Sequence, residues 1–387
     1  MYTLAVDVTY TPAEYLWKLL PLLMAFGGVL GVVPLLVYLE RKICAFIQDR
    51  VGPNRVALLG PDGLLPVLIG VGGKAPRLLA GLIQPLADAV KLFTKEDFMP
   101  VGADKFLFTV APFFAMLPPL LAWLVIPIGA PATLPGMDHP MPLVAANLDV
   151  GVLWVLAVAS LSAYGVALGG WASNNKFGLL GGVRATAQMI SYEVALLIVI
   201  ASLIMHYSEP GYNGLSLVDM VRQQAYVPGT EMARNAPWGW GIFHQPLAFV
   251  LFVICAFAEN NRLPFDMPEC EAELVGGYHT EYSSMKFGMF FQGEYIAMLS
   301  MGALTATFFL GGWHYPGFGW VSHWNANVAA LLSLVAFGLK VLGFVVFEIW
   351  VRWTLPRLRY DQLMGMGWKI LIPVALLNLV LTAVLSV

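Results

Sequence analysis

Only three cysteines, Cys44, Cys255 and Cys270, occur in 387 residues, and they stand singly with no Cys-x-x-Cys spacing. That scarcity argues against a disulfide framework and against an iron–sulfur cluster ligated by this chain. Histidine is sparse as well: His139, His206, His244, His279, His314 and His323 give no facing pairs within apolar spans, which disfavours a haem-bearing quinol oxidase subunit. Charge is low at 12% of residues, and no basic run suggests nucleic acid. Any redox centre served by this chain therefore sits in another subunit or in a diffusible molecule.

What is abundant is apolar: 59% of the residues are hydrophobic and 13% aromatic, far outside soluble composition. A helical span of lipid needs roughly 20 apolar residues. Eight segments qualify: Leu16 to Leu39, Phe106 to Ile128, Gly151 to Gly170, Ala187 to His206, Pro246 to Ala258, Phe287 to Gly311, Asn327 to Trp350 and Trp368 to Leu385. The fifth is short and has room to start near Trp240. Met1 to Tyr15 lacks the basic stretch of a cleaved signal, so the first span reads as a retained helix. The expected fold class is all-α, a polytopic membrane protein with about eight transmembrane helices plus an amphipathic interfacial helix, and residues 1–387 read as a single membrane domain. Of 21 Lys and Arg, all but Lys18, Arg222, Arg234 and Lys340 fall on the odd-numbered connections, so both termini are expected to face outward.

The interfacial helix is expected within Gly81 to Asp97, where Leu82, Leu86, Val90 and Phe93 recur at spacings of three and four while Asp88, Lys91 and Lys95 lie elsewhere. An ordinary surface helix packed on protein has the same pattern. The outer connection Tyr207 to Gln245 is rich in Gly, Pro and Trp, with one short helix expected from Ser216 to Gln224. GVGGKA at Gly70 to Ala75 fails the Walker spacing, has no Ser or Thr after Lys74 and reads as a turn.

Acids concentrate in one place. Between Ala258 and Ser284 lie Glu259, Asp266, Glu269, Glu271, Glu273 and Glu281, with Glu294 just beyond, offset nearby only by Arg262, His279 and Lys286. Close-set carboxylates repel one another, and some then hold protons near neutral pH, the condition for passing a proton between sites. A solvated acidic loop is the plainer reading. Against it, Glu193 and Glu294 lie within spans and Glu259 caps one, and a charge at membrane depth costs roughly 2.5–3.5 kcal/mol on insertion scales. Glu348 and Lys340 sit two turns apart in the seventh span, about 12 Å along the axis, too far to pair directly. Lys340 reads either as the partner of a carboxylate on a neighbouring helix or subunit, in a relay, or equally as an assembly contact.

Five stretches together resemble a known family: ERKICAFIQDRVGPNRV at Glu40 to Val56, GLIQPLADAVKLFTKE at Gly81 to Glu96, GGWASNNKFGLLGGVRATAQMISYE at Gly169 to Glu193, PFDMPECEAELVGG at Pro264 to Gly277 and RLRYDQLM at Arg357 to Met364. They are similar to a family of membrane subunits of bacterial NADH-quinone oxidoreductase, whose mitochondrial counterpart is NADH dehydrogenase subunit 1 of respiratory complex I. The similarity runs in order from about Leu20 to the end.

The resemblance implies a bacterial inner-membrane subunit beside the peripheral arm, whose inside loops form half of a quinone chamber. The other half comes from peripheral-arm subunits carrying the terminal iron–sulfur cluster, and small membrane subunits lie alongside. Quinone enters as substrate, with no haem, iron–sulfur cluster or flavin held by this chain. Expected chamber residues are Arg41, Arg50, Arg55, Asp88, Arg262, Phe265 and Asp266, with the arginines attracting quinone oxygens and Phe265 packing on the ring or tail. Glu193, Glu259, Glu269, Glu271, Glu273, Glu281 and Glu294 are expected to converge as a proton path. The chain departs from the family pattern between Arg55 and Leu82, where it carries an insertion, and around Ser160, where some relatives carry a carboxylate. Membrane subunits of energy-converting hydrogenases or deazaflavin-linked complexes resemble the same helices, and a free-standing proton-coupled transporter is a further alternative, although no inverted repeat is visible.

Overall fold

The structure is a computed structural model describing residues 17, 19–54, 81–133, 140–208, 211–225, 239–268, 274–317 and 325–385. Arg55, the insertion that follows it, and Glu269, Cys270, Glu271 and Glu273 lie outside the described residues.

Each of the eight apolar segments is helical. The first, α1, runs Leu19–Ile47, and at about 1.5 Å per residue it outreaches a hydrocarbon layer of about 30 Å. Its inner turns therefore carry Glu40 and Arg41 past the apolar zone. The interfacial helix α2 spans Gln84–Thr94 and buries no residue. Leu86, Val90 and Phe93 all lie exposed along its length. Its polar edge turns instead to α1, where Arg41 pairs with Asp88 at 2.7 Å.

Helix α3, Lys105–Ala122, starts where the Asp104 carboxylate accepts from the amides of Phe106 and Leu107 at 3.0 and 3.1 Å. It is followed by a hairpin, β1 Gly129–Ala132 and β2 Met141–Leu143, paired antiparallel. These two short strands are a departure from a purely helical chain. The Ala130 amide donates to the Ser333 hydroxyl, which ties the hairpin to a later helix. Helix α4 is Gly151–Ala172 and α5 is Lys176–His206. The latter begins well before the expected Ala187 because Asn175 caps it, accepting from the Phe177 amide.

The outer loop holds α6, Leu217–Gln224, started by Ser216 as expected. A single turn, α7 Gly241–His244, precedes α8, Pro246–Glu259, and the chain breaks at Gln245, so the fifth segment does not extend back to Trp240 as one helix. Three helices complete the bundle: α9 Ser284–Phe309, α10 Ala326–Thr354 and α11 Tyr360–Leu385. Among the described residues six helices are long and apolar enough to cross a membrane by length and composition, and α8 and α9 are not among them. At 14 residues α8 reaches only about 21 Å. Helix α9 is long enough, but Gln292 and Glu294 dilute its apolar run.

That polarity is tolerated because α9 is central and nearly all of its outer half is buried. Close approach makes this possible. A side chain on Gly165 of α4 would strike the Ala115 backbone of α3, and one on Gly293 of α9 would come within 2.8 Å of the Ala115 carbonyl. Small residues let three helix backbones meet there, the usual device for helix packing without a hydrophobic driving force. Glu294, the next residue, is held deep by that contact.

Candidate functional site

A cavity of about 450 Å³ opens at the C-terminal end of α1, lined among others by Glu40, Arg41, Cys44, Arg50, Tyr295 and Trp353. Two of the expected chamber residues, Arg41 and Arg50, are therefore on its wall, and Asp88 reaches it through Arg41. The chain turns away from α1 at Gly52, whose φ of +71° favours glycine, and Lys42 donates to the Val51 carbonyl at 2.9 Å.

Arg262 sits behind that wall rather than on it. It is 2% exposed, in the turn that leaves α8, where Asn261 adopts a φ of +52°. Gln188 of α5 fastens this turn by donating to the Ala258 carbonyl at 2.8 Å and to Asn261. The Leu358 amide donates to the Pro264 carbonyl from the other side. So held, the guanidinium donates to Glu40 of α1 at 2.8 Å, touches Glu294 of α9 through Nε, and lies 4.4 Å from the centre of the Tyr295 ring. Glu40 accepts in addition from Arg352 of α10 at 2.5 Å and from the Tyr295 hydroxyl at 2.6 Å. Burial works to lower the basicity of Arg262; Glu294 and Glu40 overcome it and hold that basicity above the ordinary guanidinium value.

Beyond the clamp lies the acid group. Glu259 and Glu294 line a small cavity of about 50 Å³ together with Ser162, Asn260 and Asn261. Glu193 is half-buried on α5 with the Ser160 hydroxyl beside it, and its charge is felt at Glu259. Asp266 is half-buried and near enough to repel Glu294. These four acids gather; Glu281 does not join them by direct contact, and instead accepts from Asn175 at 2.7 Å at the start of α5. Phe265 is buried against the edge of Tyr192, ring centres 5.5 Å apart, inside the bundle rather than on the cavity wall.

Sequence patterns do not single out several members of this site: Glu40, Tyr295, Arg352 and Asn260. Glu40 carries a usable signal, since it directly follows an apolar span just as Glu259 ends one. Glu348 is fully buried, accepting from the Asn260 amide at 2.6 Å. Lys340 does not answer a carboxylate among the described residues. Its ammonium donates to the carbonyls of Leu310, Gly312 and His314 at 2.6, 2.9 and 2.5 Å, and lies 4.5 Å from the centre of the Trp240 ring.

The class defined by this arrangement is a polytopic helical membrane protein in which a cavity at one end of the helices meets buried carboxylates through a shared arginine. Within that class the chain belongs to the NADH dehydrogenase family, whose model matches residues 20–383. It is 48% identical over 359 residues to H-subunit 1 of the NADH-quinone oxidoreductase of Geobacter metallireducens, covering 93% of each chain. With the corresponding H-subunit of Flavobacterium psychrophilum it shares 46% identity, over 89% of this chain and 90% of the relative. With H-subunit 1 of Cytophaga hutchinsonii it shares 42%, over 96% and 97%.

Proposed function

We propose that this chain is the membrane subunit of a proton-translocating NADH-quinone oxidoreductase that forms the lipid side of the quinone chamber and couples quinone reduction to proton movement. Like its relatives it works within a larger complex, in the bacterial inner membrane with both termini outward. Peripheral-arm subunits carrying the terminal iron–sulfur cluster deliver electrons. One observation carries the reading: Glu40 and Tyr295 line the inner cavity and also hold Arg262, which holds Glu294 on the wall of the acid cavity. A change of charge in the first cavity is thereby felt in the second through three contacts.

Reduction of quinone to quinol takes two electrons and two protons. Arg41 and Arg50 supply positive charge for the head group's oxygens, while the exposed apolar stripe of α2 keeps the isoprenoid tail in lipid. As the head group is reduced, Glu40 and Tyr295 respond, Arg262 shifts its share of charge between Glu40 and Glu294, and protons redistribute among Glu294, Glu259 and Glu193. Asp266 and, from the loop segment outside the described residues, Glu269, Glu271 and Glu273 extend the acidic path inward, and Glu281 stands at its edge.

The test uses the assembled complex. Glu193→Gln and Glu294→Gln are expected to lower both quinone reductase turnover and proton pumping while assembly persists, and unchanged turnover in both would remove them from the path. Replacing Arg41 or Arg50 by Ala is expected to raise the KM for quinone; an unaltered KM in both takes the 450 Å³ cavity out of the chamber.

A further inference from the structure

Glu348 is absent from the path just described, yet its surroundings are those of a working acid. Its side chain is fully buried on α10, one turn before Arg352. Oε1 accepts from Asn260 at 2.6 Å, whereas Oε2 is buried with no hydrogen-bond partner among the described residues. Asn260 follows Glu259 in the chain and lines the Glu259–Glu294 cavity, and both its own Oδ1 and the Oε2 of Glu259 are buried without a partner in the same sense. A carboxylate oxygen in apolar surroundings is strongly penalised unless paired or protonated. Two such carboxylate oxygens, on residues linked through Glu259–Asn260 and the Asn260–Glu348 hydrogen bond, mark a place where a proton can reside.

The charge balance points the same way. Glu40, Glu259, Glu294 and Glu348 are four largely buried carboxyls, and among the described residues Arg262 and Arg352 are the two cations that contact this group. Both cations touch Glu40 or Glu294; neither makes an ion pair with Glu259 or Glu348. The charged groups felt at Glu348 are Arg262 from the turn after α8, Glu294 from α9 and Glu40 from α1, so any movement of Arg262 between its partners changes the field at Glu348.

We propose that Glu348 is an additional proton-binding residue of the coupling cluster, gaining and losing a proton at Oε2 as the Glu40–Arg262–Glu294 clamp responds to quinone reduction. The inference rests on the reading of the neighbouring acids as a proton path. Only an O–H bond is made and broken. The proton arrives from the Glu259 side of Asn260 and leaves the same way, and Oε1 keeps its Asn260 bond throughout.

The experiment is infrared difference spectroscopy on the assembled complex, reduced with NADH minus oxidised, recorded in H2O and D2O, with the proton-to-electron ratio measured in parallel. Glu348→Gln, which preserves an acceptor for Asn260, is expected to delete a deuterium-sensitive protonated-carboxyl band and to lower the ratio. Glu348→Asp is expected to retain a carboxyl band at a displaced frequency, and Asn260→Ala to displace the native one. A spectrum in which Glu348→Gln leaves every carboxyl band in place overturns the proposal. Glu259→Gln run alongside separates the two claims: loss of pumping there with no change in Glu348→Gln sinks the role of Glu348 alone, while no effect in either sinks the path.

Discussion

Glu40 uses both carboxylate oxygens, one on Arg352 and the other shared by Arg262 and Tyr295, so three elements close on a single side chain. Removing one partner from a buried ion pair leaves an uncompensated charge, at on the order of 3–5 kcal/mol. Glu40→Gln takes the paired anion from Arg352 and leaves Arg262 with Glu294 alone, and is expected to cost up to about that much, whereas Tyr295→Phe deletes one charged hydrogen bond worth about 1.5–3 kcal/mol. Thermal denaturation of the complex checks the ordering, and equal melting of Glu40→Gln and native protein would disprove the clamp's importance. Little of this is legible in the sequence. The sequence shows which residues are charged but not that Glu40 and Arg262, 222 positions apart, share a contact, and Arg262 reads as a chamber-surface residue because nothing local announces its burial. His279 is a smaller case. Burial pushes it down to about 4 from an ordinary 6.5, so it is neutral in the fold. The stability it contributes is complete above pH 6.5 and is lost as pH falls toward 4. Limited proteolysis of residues 274–283 should accelerate over that window in the native chain, and a His279→Gln variant should flatten the dependence.

Lys340 does for α9 what a cap does for a soluble helix. The last carbonyls of a helix have no partners of their own, and here the turn after α9 supplies three that one ammonium gathers at 2.5–2.9 Å. Burial first, and then the same charge, push His314 down to about 3, so that imidazole stays neutral. Lys340→Met would leave those carbonyls short of a donor at about 1–3 kcal/mol for each one that finds no substitute, lowering the melting temperature, while Lys340→Arg should recover part of the loss. No recovery with Arg would argue that the ammonium does something other than cap. Periodicity cannot reveal this partner, because backbone carbonyls carry no sequence signature. It does reveal α2, whose apolar spacing needs no tertiary information, and Ser216 announces α6 in the same way. It misses the early start of α5, since KFGLLGGVRAT reads as loop. Those glycines offset their helical cost through packing: a side chain on Gly181 would come within 2.9 Å of Gly277.

At the scale of the molecule, the two helices that rank as poor membrane spans by length and composition, α8 and α9, each hold an acid of the central cavity. Glu259 ends α8, which packs chiefly on α5 and also touches α9 and α11, and Glu294 lies on α9, which packs on α3, α10 and α1. Charge of either sign is then buried among protein partners, where it can be compensated, and the lipid-facing surface remains apolar. The same logic separates the two faces. The C-terminal ends of α1 and α10, the N-terminal part of α5 and the turns beside them carry Arg41, Arg50, Arg184, Arg352 and Arg359, while the described turns at 140–150 and 211–216, at the opposite helix ends, carry none. Retention of positive charge on the inner side is what sets orientation during insertion, so the arrangement predicts that Asp149 and Tyr212 face outward. In cells whose outer membrane has been removed, an impermeant maleimide should label Asp149→Cys and Tyr212→Cys without prior lysis, in a background where Cys44, Cys255 and Cys270 are all replaced by Ser. Labelling confined to inside-out vesicles would reverse the topology, place the 450 Å³ cavity on the outer face, and separate the arginine clamp from any electron donor in the cytoplasm.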